Sequence, residues 1–184
     1  MISVFALLAA FAVGQAEGAS PPAEAEPPPL IRALQAAGLD PRTKLEDGAV
    51  QVMSGQRAVV EFDAENRPTL SAVETGRIDR AAPAGAADVF KGIRPGRLAV
   101  ALDAAPEKRQ SMMKIWNALA RPVAFEAEIV ALRGGQLMRK RLAVCPIAAG
   151  GAAFETWPDP IIAVVASGFY EPSADAPACK DEND

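Results

Sequence analysis

Val123-Ala124-Phe125-Glu126-Ala127-Glu128-Ile129-Val130-Ala131-Leu132, the pair Gly134-Gly135, and the run Leu137 to Cys145 decide the fold. Val123, Phe125, Ala127, Ile129 and Ala131 alternate with Ala124, Glu126, Glu128 and Val130, which is the period of a strand with one buried face. Two glycines suit a two-residue hairpin turn, because they take positive φ at little cost. That turn sets Arg133 opposite Gln136. Phe125 then falls opposite Val144, Ala127 opposite Leu142 and Glu128 opposite Arg141. One face is apolar and the other pairs opposite charges, with Ile129 against Lys140 as the one mismatch.

Downstream, Gly150-Gly151 loops and Ala153–Trp157 runs into Pro158-Asp159-Pro160. Ile161–Ala166 is apolar on both faces, as in a strand covered on both sides. Upstream, short strands recur at about ten-residue spacing with turn signals between them, the pattern of a sandwich or barrel. Val50 and Val52 follow the turn Asp47-Gly48, and Ser54-Gly55 breaks the run. Ala58–Phe62, Thr69–Val73 and Leu98–Leu102 follow, and Thr75–Arg97 reads as an irregular connection or exposed loop. Met112–Asn117 satisfies a helical face too, but its neighbours are all strands, so a strand is expected. Met113, Ile115 and Asn117 then share one side, and Met112, Lys114 and Trp116 the other.

Leu30, Ala33, Leu34 and Ala37 recur at helical spacing. Pro29 suits the first helical position and Gly38 the position just past the end, with Leu39 folding back. This helix is expected to cap one end of the domain. The expected fold class is therefore mainly β: a single antiparallel β-sandwich with a short N-terminal helix.

The chain starts with the apolar run Val4–Val13, followed by Gly14, Ala16 and Gly18, which suits a secretory signal over residues 1–18. Residues 19–29 read as a Pro-rich acidic tether, 30–170 as the sandwich and 171–184 as an acidic tail. Roughly 165 residues would remain after cleavage, enough for one core. Half the residues are apolar but only 5% are aromatic, so that core should rest on Val, Ile and Leu. The expected location is periplasmic or secreted, with no stable membrane anchor after cleavage. Cys145 and Cys179 are the only cysteines, and in an oxidising compartment an isolated pair is expected to form a disulfide.

Two patterns resemble known proteins. Cys145-Pro146, Glu155-x-Trp157-Pro158-x-Pro160-Ile161 and Phe169 resemble the C-terminal pattern of a family of exported bacterial proteins, to which no activity is assigned. Asn117 before a short turn, then Pro122-Val123-x-Phe125, is similar to immunoglobulin-like sandwiches, which implies an architecture and not a function.

The sequence has no histidine and a net charge of −4. The first excludes imidazole-based triads and HExxH zinc sites. The second, with acidic and basic residues interspersed, argues against nucleic acid as a partner. Two histidine-free pairs could still carry hydrolysis. Ser111 and Lys114 match S-x-x-K, in which lysine activates serine on one helical face. Glu155 and Asp159 near Trp157 could act as paired carboxylates. Neither has supporting motifs, and no cofactor is expected. The leading expectation is a non-catalytic exported module that binds another protein or an envelope component.

Overall fold

A computed structural model describes residues 29–78, 90–105, 110–134 and 136–173. The expected signal peptide, nearly all of the tether, and Cys179 in the tail lie outside the described residues. One helix, α1 (Pro29–Ala36), precedes ten strands. These are β1 (Lys44–Glu46), β2 (Ala49–Met53), β3 (Gln56–Phe62), β4 (Pro68–Thr75) and β5 (Leu98–Ala105). β6 (Gln110–Asn117), β7 (Ala124–Arg133), β8 (Gln136–Ala143), β9 (Ala152–Trp157) and β10 (Ile161–Tyr170) complete the set.

The strands form two five-stranded antiparallel sheets, a β-sandwich. Sheet A has the order β1-β2-β10-β7-β8 and sheet B the order β4-β3-β5-β6-β9. The core between them is made by inward positions of alternating strands: Val50, Val52, Val60, Leu98, Val100, Leu102, Met113, Ile115, Phe125, Ile129 and Val164. Met112–Asn117 is a strand, with Met113, Ile115 and Asn117 buried together as the alternation requires. The likeness to immunoglobulin domains stops at two packed antiparallel sheets. Constant-type domains divide seven strands four to three, and their third strand crosses to the other sheet before the fourth and fifth return to the first. Here four consecutive strands, β3 to β6, stay in one sheet.

The β7–β8 ladder runs from Arg133↔Gln136 through Ile129↔Lys140 to Glu126↔Ala143, the register the glycine turn predicts. Glu128 stands opposite Arg141, as expected, but its ion pair goes to the diagonal Arg139 at 2.7 Å. Arg139 is held there by a second contact, donating to the Ala37 carbonyl at the end of α1 at 2.7 Å.

The end of α1 is a Schellman turn. Gly38 has φ 71°, Leu39 N–H donates to the Leu34 carbonyl, and Gly38 N–H to that of Gln35, both at 2.9 Å. The helix does not cap one end of the sandwich. It lies on the outer face of sheet A, where Leu34 and Leu39 pack on Met53, Val130 and Ala163. Three neighbouring strands carry outward apolar residues there, so an amphipathic helix has more surface to bury on the face than at an end. This roof is why β10 is apolar on both sides.

A second correction concerns residues 75–97. Apart from Thr75, which ends β4, their described parts contain no strand, as an irregular connection would, but Ile78 and Phe90 are not exposed. Ile78 is buried against Ala101 and Met112, with Phe90 and Trp116 beside it. Phe90 N–H donates to the Arg77 carbonyl at 3.1 Å, and Ile78 N–H to Asp103 Oδ2 at 3.1 Å. Ile78 and Phe90 thus pack over Ala101 of β5 and Met112 of β6 on the outer face of sheet B.

Candidate binding face of sheet B

The outward positions of sheet B carry an unusual set of side chains. Arg57 on β3 points away from the core, because Ala58 and Val60 take the inward positions. It is nonetheless only 2% exposed. A charge so placed must be paired and hydrogen-bonded. Its Nε donates to Glu74 Oε2 at 2.9 Å, Nη2 donates to the same oxygen, and Nη1 donates to the Lys91 carbonyl at 2.5 Å. The guanidinium carbon also lies 4.9 Å from the Phe90 ring centre and 5.0 Å from that of Trp116.

The series continues across the sheet. Lys114 on β6 is the register partner of Phe154 on β9. Its Nζ lies 4.8 Å from the centre of the Trp116 ring and 4.6 Å from that of Phe154. Phe90, Arg57, Trp116, Lys114 and Phe154 therefore alternate ring and cation over four strands' width. Such contacts are worth roughly 0.5–2 kcal/mol each, more where water is excluded. At the open end Phe154 is 46% exposed.

Of the sequence-predicted pairs, Ser111 and Lys114 are not brought together. Ser111 and Lys114 are three residues apart on a strand, which sends them to opposite faces. Ser111 is fully buried, and its Oγ accepts the Ile161 N–H at 2.8 Å, tying β6 of sheet B to β10 of sheet A. Asp159 is engaged by Arg133 at 2.6 Å, and Glu155 on β9 has a partner of its own. Trp157 packs against the core. Phe169 stacks within the core at 5.3 Å from Phe125 and 5.4 Å from Phe62. The residues of the C-terminal pattern thus serve strand, turn and core.

Two hollows border these faces. One of about 410 Å³ lies on sheet A, between Glu126, Glu128, Arg141, Val165 and Ser167. The other, about 240 Å³, lies on sheet B between Arg57, Val59, Glu74, Gly92, Ile93, Arg94 and Arg97. Among the described residues no group of His, Cys, Asp or Glu could hold a metal ion, and no helix is long and apolar enough to cross a membrane.

Sequence reasoning missed Arg57, whose only signal was a lone charge ahead of the apolar run Ala58–Val60. It placed Lys114 and Trp116 on one face but could not bring Phe154, some forty residues on, beside them. Comparison with protein families, with curated proteins and with solved structures gave no match.

Proposed function

We propose that the protein is a non-catalytic, exported β-sandwich module that binds another protein or an envelope polymer through the outer face of sheet B. One observation carries this reading: the two outer faces are finished differently. α1 covers the apolar middle of sheet A, whereas sheet B, covered by Ile78 and Phe90 on one side, ends on the other in Lys114, half-buried Trp116 and a phenylalanine left open to water. An ordered aromatic edge with a cation beside it offers apolar contact and charge at low entropic cost, as binding surfaces do. Export rests on the apolar run Val4–Val13 and the small residues that follow it.

Phe154→Ala combined with Lys114→Ala is expected to lower retention on an insoluble envelope fraction at least about tenfold, the loss typical of an aromatic anchor. Circular dichroism should be unchanged, because both side chains lie on the outer face. Equal retention of wild type and variant would remove the reading. A serine-reactive probe whose labelling disappears in Ser111→Ala would replace it with hydrolysis.

The same reading includes a Cys145–Cys179 disulfide. No free cysteine occurs among the described residues, and Cys145 lies two residues past the end of β8. The bridge would close a loop of about 35 residues, for which chain entropy gives roughly 3–4 kcal/mol. Peptide mapping without reductant should recover the two cysteines linked. Alkylation of both thiols in unreduced protein would show that they are separate.

A further inference from the structure

The cleft beneath residues 91–97 was not foreseen from the sequence, and its chemistry is one-sided. Its floor is β3, through Arg57 and Val59, and one wall is Glu74 on β4. The other wall is Gly92, Ile93, Arg94 and Arg97, part of the segment Lys91–Arg97, which carries three cations in seven residues. That segment is held in place. Gly96, with φ 80°, donates its N–H to the Ala118 carbonyl at 2.8 Å, and Ala118 N–H returns to the Arg97 carbonyl at 2.9 Å. Gly92 faces open space, so a ligand group can approach the backbone there.

Three guanidinium groups line the cleft. Arg57 is committed to Glu74 and the Lys91 carbonyl, and Arg97 pairs with Glu61 at 2.5 Å. Arg94 is exposed and makes no ion pair with any described carboxylate. Three fixed positive charges against two carboxylates leave one positive charge uncompensated. An arginine cannot relieve this by losing its proton.

We infer that this cleft binds a singly charged oxyanion, a carboxylate or phosphodiester borne by the module's ligand, with Arg94 as the principal contact. Arg94 and the free N–H groups of Arg97 supply the forked donors that such oxygens accept. Arg57, paired with Glu74, holds the wall through the Lys91 carbonyl, while Glu74 disfavours a second negative charge. The inference rests on the reading of sheet B's outer face as the binding face, and it names the group that the ligand must carry.

The test is a titration of the ¹⁵N-labelled mature chain with dimethyl phosphate, and separately with glucuronate, against sodium chloride of equal ionic strength. At least one probe should shift the Gly92, Ile93 and Arg94 amides saturably, and the one that does identifies the group. Chloride should give no saturable shift. Arg94→Ala should weaken binding about five- to tenfold, as for one charge-assisted contact, and Arg94→Glu should abolish it. Arg94 is exposed, so neither variant endangers the fold. No saturable shift with either probe, or an unchanged titration in Arg94→Glu, overturns the site. Arg94-dependent probe binding by a protein that no envelope fraction retains would keep the site and remove the broader reading. Envelope retention with no probe binding would do the reverse.

Discussion

Phe125→Ala is expected to destabilise the domain by about 3–5 kcal/mol, the usual loss for a truncated core aromatic. Phe125 is 3% exposed and its ring meets Phe169, which in turn meets Phe62. Those three rings come from β7, β10 and β3, so they join both sheets. A cavity opened there cannot be closed by moving one side chain. Glu128→Gln, three positions along the same strand, should change stability by no more than about 1 kcal/mol, because its pair with Arg139 is solvent-exposed. Urea denaturation of the two variants decides the matter. If the two magnitudes were exchanged, Phe125 would be on the outside and the β7 register would be off by one residue.

Asn117→Ala is expected to cost about 2–4 kcal/mol, although it removes only a small polar group. Asn117 is 1% exposed and sits where β6 ends. Its Nδ2 donates to the carbonyls of Arg121, Ile147 and Ala148 at 2.9–3.0 Å, and its Oδ1 accepts the Leu119 N–H at 3.1 Å. Ile147 and Ala148 would keep other donors, from Val123 N–H and Gly151 N–H. The Arg121 carbonyl and the Leu119 N–H would be left unpaired in the interior, at roughly 1–3 kcal/mol each. Asn117→Asp should do at least as much damage, since a carboxylate would face three carbonyl oxygens. If Asn117→Ala shifted the urea midpoint no further than a surface substitution, the turn would be held by its backbone alone.

What could be read from the chain follows the range of the interactions involved. The hairpin register was legible because Gly134-Gly135 fixes it locally and each later pair follows by counting. The end of α1 was legible for the same reason, as Gly38 and Leu39 act within one turn. The seat of α1 was not. It depends on Met53, Val130 and Ala163, which become neighbours only when β10 enters between β2 and β7. Likewise the Arg57–Trp116–Phe154 series is spread over about a hundred residues and exists only through the β3–β5–β6–β9 order. The Ser111–Lys114 pair failed on secondary structure: S-x-x-K needs helical spacing, and Ser111 lies on a strand whose inward positions are core.

Strand β10 is the last of the described strands and the central one of sheet A. Before it arrives, that sheet is only two separate hairpins, β1–β2 and β7–β8, with a strand-wide gap between them. Neither can hold its apolar face alone. Assembly must therefore wait until residue 170 has been made, whatever has been synthesised before it. The N-terminal hairpin β1–β2 thus reaches the rest of its sheet only through β10, so the two ends of the described chain close that sheet together.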